Sequence, residues 1–149
     1  MRRPLVLDEF LPYRLSVAAN AVSQVIARSY DDAGLKTNEW RVMAVLAQDG
    51  PSSQQRLVGR TQMDKVAVSR AATSLADQGL VRRTPDPDDA RSLILSLTAR
   101  GRALHRRLAP RALALEDALV KGLDRKEIAA VESLLRRLEE AAGRMLGEG

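Results

Sequence analysis

The chain is short, basic and free of cysteine. Its 149 residues can bury one core of modest size, and 24 lysines and arginines against 19 aspartates and glutamates give a net charge of +5. With no cysteine and a single histidine, the sequence excludes disulfides, cysteine-ligated zinc and zinc sites built from several imidazoles. No apolar run reaches the length of a membrane span, and the N-terminus has no signal-peptide core, so we expect a cytoplasmic protein without membrane contact.

The N-terminal part of the chain predicts an arm followed by two helices. Residues 1–9 are expected to form a loose arm, and the apolar periodicity predicts a first helix over residues 10–31. Thr37-Asn38-Glu39 opens a second helix, which ends at Asp49-Gly50-Pro51.

Two further helices are predicted between residues 52 and 79. Ser52-Ser53-Gln54-Gln55 resembles a capping box for a short helix to about residue 60. Asp64 is a good N-cap for the next helix, and Gly79 is its C-terminal stop. One face of this helix has the spacing of a buried stripe, formed by Val68, Ala71, Ala72 and Leu75. The other face has small, hydroxyl-bearing and cationic side chains, as suits a helix in a DNA major groove: Lys65, Val66, Ser69, Arg70 and Thr73.

A β-hairpin is predicted directly after this helix. Residues 80–84 and 92–98 are expected to form two strands, and the polar residues 85–91 a turn-rich excursion between them. For the helix alone, an ordinary surface helix is the more frequent interpretation. A helix followed by a hairpin with an arginine near its tip is instead the layout of a winged helix-turn-helix.

The C-terminal part predicts two long helices. Thr98 is the expected cap of a helix to about residue 121, in which Pro110 predicts a kink near residues 106–110. Asp124-Arg125-Lys126-Glu127 is a capping box for the last helix. The apolar stripe of that helix is unbroken and predicts a homodimer, although packing within one chain is the alternative: Ile128, Val131, Leu134, Leu135, Leu138, Ala142 and Met145.

The positive charge is concentrated in the predicted helix-turn-helix, the hairpin and the start of the next helix. Residues 56–111 contain 12 basic and five acidic residues, whereas the remainder of the chain has 12 and 14. This asymmetry favours a polyanionic partner such as double-stranded DNA. The alternative is a generally arginine-rich proteome, which would raise the charge without a role in binding nucleic acid.

The helix and the hairpin together contain a specific pattern. It reads D-K-x-x-V-S-R-A-x-x-x-L-x-x-x-G-L-V-x-R and then D-x-R-S-x-x-x-x-L-T-x-x-G, between Asp64 and Gly101. The pattern resembles the MarR family of bacterial transcription regulators, and so do residues 10–16 and 39–46.

The resemblance implies both a fold and a function. The expected fold is mainly α, a winged helix-turn-helix with a small β-hairpin wing and a helical dimerisation region. Residues 36–97 would form the DNA-binding region, and residues 1–35 and 98–149 the dimerisation region. The expected function is a transcriptional regulator, most often a repressor, that binds a pseudo-palindromic operator as a homodimer. The alternative is an architectural or non-specific DNA-binding protein of the same fold.

The predicted DNA contacts lie on two helices and the wing. They are Ser53, Gln54, Lys65, Val66, Ser69, Arg70, Thr73, Arg83, Asp89 and Arg91. Arg91 can reach the minor groove beside the half-site, and Asp89 is placed to orient its guanidinium. The alternative is a local surface ion pair between these two residues, which would contribute little.

Regulators of this family often bind a small, frequently aromatic acid or its thioester. The candidate pocket residues come from three helices: Tyr13, Arg14, Ser16, Asn20, Trp40, Arg41, Met43 and His105. Trp40 and Met43 could instead be plain core residues, and His105 a surface residue. No phosphate loop, metalloprotease motif or nucleophile elbow is present, so we expect no enzymatic activity, no cofactor and no metal.

Overall fold

The computed structural model describes residues 3–147, which contain the helices and the hairpin in the predicted order. The helices are α1 (Leu11–Ala27), α2 (Thr37–Asp49), α3 (Gln54–Thr61), α4 (Lys65–Asp77), α5 (Ala99–Leu119) and α6 (Arg125–Gly147). The strands are β1 (Ser52–Ser53), β2 (Val81–Asp86) and β3 (Asp89–Leu97). The mainly α winged helix-turn-helix predicted from the sequence is therefore confirmed. Within the described part of the chain, no helix is both long and apolar enough to cross a membrane.

The N-terminal region differs from the prediction at both ends of α1. The predicted arm contains a 3₁₀ turn at Leu7–Glu9, while its residues 1 and 2 lie outside the described part of the chain. Helix α1 ends at Ala27, four residues before the predicted end. The reason is that Ser29 and Tyr30 turn into the core, where each is only 1% exposed.

Residues 3–115 and 116–147 form two compact units, and the boundary falls inside α5. The first unit has one hydrophobic core, built from the inward faces of its helices and the sheet. Its buried apolar residues are Tyr30, Leu35, Val42, Met43, Leu46, Leu57, Met63, Val68, Ala71, Ala72, Leu75, Leu80, Val81, Leu95 and Leu108. The predicted division into dimerisation and DNA-binding regions concerns roles rather than compactness, and it stays a prediction.

The sheet has three strands in the order β1-β3-β2, with antiparallel pairing throughout. The sequence analysis missed β1, whose two serines pair with Leu95 and Ile94 of β3. It also placed residues 85–91 outside the strands. In the structure the β2–β3 ladder continues to the pair Asp86 and Asp89, with an irregularity after Pro85, so the turn is confined to residues 87 and 88.

The start of α3 shows that the predicted capping box is wrong by one residue. The N-cap is Ser53, whose Oγ accepts the backbone N–H of Arg56 at 3.0 Å. Ser52 is instead buried in β1, and its hydroxyl donates to the carbonyl of Gly50 at 2.9 Å. Because Ser52 pairs with β3, the N-cap of α3 is the next residue, Ser53.

The end of α4, the start of β2 and the start of α5 meet at one point, which we call the junction (residues 79–80 and 98–101). Gly79 has φ +71°, and the hydroxyl of Thr98 donates to its carbonyl at 2.7 Å. The backbone N–H of Thr98 donates to the carbonyl of Leu80 at 3.1 Å. Thr98 also caps α5 as predicted, because its Oγ accepts the N–H of Gly101 at 3.0 Å. A Cβ on buried Gly101 would overlap the carbonyl of Leu80, so the junction requires glycine there.

The second unit consists of the end of α5, a short connection and α6. The capping box of α6 is confirmed: the N–H of Asp124 donates to Glu127 at 3.0 Å, and the N–H of Glu127 donates to Asp124 at 2.8 Å. Pro110 lies inside α5, in the first unit, and the kink expected there stays a prediction.

Candidate nucleic-acid interface

Helix α4 presents the polar face that the sequence predicted. Its N-cap is Asp64, whose Oδ1 accepts the N–H of Ala67 at 2.7 Å. The stripe that was predicted to be buried is 0–4% exposed, so it fixes which side of the helix faces outward. The exposed side carries the predicted DNA-contacting residues Lys65, Val66, Ser69, Arg70 and Thr73.

A shallow groove of about 420 Å³ runs along the C-terminal half of this face. Its walls combine hydroxyl, amide, guanidinium and carboxylate groups: Ser69, Arg70, Thr73, Ser74, Asp77 and Gln78. Groups of these types donate to and accept from base edges and phosphates. Because this groove is shallow and several side chains along it are short, the backbone of α4 can approach a DNA major groove closely.

The structure brings two predicted DNA residues from different elements into contact. The Nη1 atom of Arg83 on β2 donates to the Oγ1 atom of Thr73 on α4 at 3.3 Å. Both side chains are exposed. The guanidinium of Arg83 therefore lies beside the exposed polar face of α4, which we call the reading face, and its hydrogen bond to Thr73 holds it there.

At the tip of the wing, Asp89 has a different role from the one predicted. Its Oδ1 accepts the backbone N–H of Arg91 at 3.0 Å, so the carboxylate fixes the chain at Arg91 and not the guanidinium. No carboxylate lies within 4.0 Å of that guanidinium among residues 3–147. The exposed guanidinium of Arg91 is thus available to a partner.

The predicted contacts at the start of α3 are partly occupied by the fold. Ser53 and Gln54 are half-buried, and the hydroxyl of Ser53 already serves as the N-cap acceptor. Farther along α3, Arg56 and Arg60 both bind the carboxylate of Asp49 at the end of α2, at 3.4 and 3.1 Å. These ion pairs hold α3 against α2 and reduce the charge that α3 offers to DNA.

A second candidate site lies beside an aromatic stack and is lined by residues of α2, β3 and α5. The ring of Trp40 lies between those of Tyr30 and His105, with centroid distances of 5.5 and 5.6 Å and interplanar angles of 17° and 16°. His105 also lines a cavity of about 260 Å³, together with Leu46, Ala47, Pro51, Ser96, Leu97, Arg102 and Arg106. Burial lowers the pKa of His105 from its usual 6.5, so the imidazole is neutral at pH 7.

The predicted pocket residues are only partly brought together. Trp40 and His105, 65 positions apart in the chain, are in contact, and His105 lines the cavity. Met43 is fully buried in the core, so the prediction that it lines an open pocket is wrong. His105 is the one predicted residue among those lining this cavity, and the other seven do not line it: Tyr13, Arg14, Ser16, Asn20, Trp40, Arg41 and Met43. The sequence analysis missed Arg102 and Arg106, although their spacing around His105 puts all three near one face of a helix.

The described part of the chain contains no group of three or more histidines and carboxylates spaced to hold a metal ion. Its candidate sites consist of the exposed polar face of α4, a wing with exposed arginines and a small cavity. A helix-turn-helix pair followed by a β-hairpin with exposed arginines defines a DNA-binding protein of the winged helix-turn-helix class.

Comparison with known proteins narrows this class to one family. The sequence pattern of the MarR family matches residues 33–92. The HTH-type transcriptional repressor NicR of Pseudomonas putida is 28% identical over 143 residues, which cover 94% of this chain and 90% of that protein. The crystal structure of a probable transcriptional regulator from Pseudomonas aeruginosa is 30% identical, with a TM-score of 0.78 over 89% of this chain and 99% of that chain.

A third similar protein has a described ligand response. It is BpsR of Bordetella bronchiseptica, whose structure concerns the regulation of DNA binding by 6-hydroxynicotinic acid. That structure is 26% identical to this chain and has a TM-score of 0.84, over 92% of this chain and 98% of that chain. Taken together, these similarities show that the chain belongs to the MarR family and is a transcriptional regulator.

Proposed function

We propose that this regulator is a ligand-responsive repressor that binds a pseudo-palindromic operator as a homodimer. The observation that supports it most is the exposed face of α4, where hydroxyls and a guanidinium stand beside a wing arginine held against that face. Arginine and hydroxyl side chains of this kind distinguish bases in the major groove. Arg91 adds a cation whose charge no carboxylate of the described residues offsets within 4.0 Å.

Homodimer formation is supported by the apolar surface that a single chain exposes. On α6, Val131, Leu134, Leu135 and Leu138 are between 40% and 53% exposed. Apolar side chains are also exposed along α1 and just before it: Leu5, Val6, Leu7, Phe10, Leu11, Val17 and Val22. Exposed apolar patches of this extent are typical of protein interfaces. Two copies related by a two-fold axis would present two α4 helices to half-sites about one DNA turn apart.

We place the effector in the cavity beside His105. Two arginines, Arg102 and Arg106, can bind a carboxylate there, and Leu46 and Leu97 can cover an aromatic ring. The volume of about 260 Å³ lies just below the range of drug-sized pockets. It therefore favours a monocyclic aromatic acid over the larger thioester, and the ligand of BpsR is an acid of that size.

Operator selection tests the repressor. A palindromic site recovered from a random DNA library should bind at least about a thousandfold more tightly than unrelated DNA at equal salt. A ratio near one would contradict the proposed repressor and indicate an architectural or non-specific DNA-binding protein instead. In the same assay 6-hydroxynicotinic acid should weaken operator binding by the wild-type protein but not by Arg102→Ala/Arg106→Ala, with Arg125→Ala on α6 as the control.

A further inference from the structure

A buried carboxyl group connects α2 to the reading helix. Glu39 lies in the first turn of α2 and is only 3% exposed. Buried glutamates are rare because the group must lose its hydration, so each one requires an explanation. Capping of α2 accounts for only one of its oxygens: Oε1 accepts the backbone N–H of Lys36 at 2.9 Å.

The other oxygen of Glu39 binds side chains from α4. Its Oε2 accepts the hydroxyl of Ser74 at 2.6 Å and the amide of Gln78 at 3.1 Å. The same amide nitrogen donates to the hydroxyl and the carbonyl of Ser74, at 3.1 and 3.3 Å. We call Glu39, Ser74 and Gln78 the clamp. Its hydrogen bonds join residues that are separated by 35 and by 39 positions in the chain, and neither of these bonds is an ion pair.

The clamp contacts α4 beside its reading face. Ser74 and Gln78 both line the groove that also contains Arg70 and Thr73. The apolar stripe of Val68, Ala71, Ala72 and Leu75 is buried along the same helix, but the hydrophobic effect that stabilises it has no directional preference. The directional hydrogen bonds of a carboxyl group restrict rotation and sliding more strongly.

We propose that Glu39 is a positioning residue for sequence reading: it fixes the rotation and register of α4 on α2. This inference rests on the proposed sequence-specific DNA binding. Contacts to base edges require placement within about 0.5 Å, whereas flexible lysines and arginines reach phosphates over a wider range. Weakening the clamp should therefore reduce binding to the operator and leave binding to unrelated DNA unchanged.

The substitution Glu39→Gln tests the clamp with little change in volume. It keeps an acceptor for the N–H of Lys36 but can place an amide NH₂ against the NH₂ of Gln78. Gln78 cannot simply turn over, since its oxygen would then face the carbonyl of Ser74. Ser74→Ala removes the shortest bond of the clamp. The matched control is Tyr30→Phe, which removes a hydroxyl that donates to Thr37 at 2.8 Å, also at the start of α2 but not bound to α4.

The measurement is the ratio of operator affinity to random-DNA affinity at one salt concentration, together with the thermal unfolding midpoint of each variant. Glu39→Gln and Ser74→Ala should lower the ratio about tenfold, as much as one mismatched base pair, with random-DNA affinity unchanged. Tyr30→Phe should keep the wild-type ratio. If Glu39→Gln lowers the unfolding midpoint but keeps the ratio, the group is only structural and the inference is wrong. A wild-type ratio near one would instead refute the proposed function itself.

Discussion

Replacing Arg91 by alanine should weaken operator binding and flatten its dependence on salt. The guanidinium is exposed at the wing, and no carboxylate of the described residues lies within 4.0 Å of it. It can therefore displace counterions from DNA without first leaving an ion pair, unlike Arg56 or Arg60, which share Asp49. Each neutralised phosphate contributes a slope of about −0.9 to the plot of log affinity against log salt.

The loss of this charge should change the salt dependence of operator affinity by a measurable amount. One cation lost from each half-site should flatten the slope by about one unit per half-site, or about two for a dimer. Between about 50 and about 200 mM salt, the affinity gap between wild type and Arg91→Ala should then shrink about tenfold. Fluorescence anisotropy with a labelled operator across a salt series measures both quantities.

Two sets of variants serve as controls. Arg111→Ala removes another exposed arginine, which is already paired with Asp32 at 3.1 Å, so the slope should stay at the wild-type value. Larger residues at Ser69 or Thr73 should alter base preference with little change in slope, because hydroxyls displace no counterions. If Arg91→Ala leaves both affinity and slope unchanged, the wing does not contact DNA and the reasoning about its charge is wrong.

Three further predictions concern assembly, pH and the junction. Leu135→Glu/Leu138→Glu should give monomers or aggregates, because charges replace exposed apolar contacts; a stable folded dimer in sedimentation would place the interface elsewhere. Burial lowers the pKa of His105, so on acidification the unfolded chain takes up a proton at a higher pH than the folded chain. The contribution of the neutral imidazole to stability is therefore present above about pH 6.5 and is lost as the pH falls below that value. Thermal unfolding between pH 8 and 5 should show a smaller decrease for His105→Gln than for wild type, and parallel curves would contradict the burial argument. Gly101→Ala should lower the free energy of unfolding by more than about 2 kcal/mol, because its Cβ overlaps the carbonyl of Leu80; denaturation that matches wild type would show that the junction relaxes.

The helices and their caps could be predicted from the sequence because their signals are local. Asp64 and Thr98 have the predicted capping bonds, and the buried stripe of α4 follows from its 3.6-residue period. Strand β1 has no such signal. Two serines show no alternation, and they form a strand only because Leu95 and Ile94 lie opposite them in the folded chain.

The candidate sites could be predicted only where exposure follows from periodicity. The face of α4 was found in this way, whereas Met43 was misplaced because an apolar residue on a helix can face a pocket or the core. The clamp could not be predicted, since no local pattern shows that the second carboxylate oxygen of Glu39 binds Ser74. The role of Asp89 also depended on geometry: a carboxylate two residues before an arginine can bind either its backbone or its side chain.

The junction also predicts where the chain tolerates added length. Gly79, Leu80, Thr98 and Gly101 are joined through backbone and hydroxyl groups, so an inserted residue there would shift α4, β2 and α5 together. The turn at residues 87 and 88 lies at the far end of the hairpin and is exposed. Residues inserted or removed at this tip should therefore change how far the wing reaches, while α4 keeps its place.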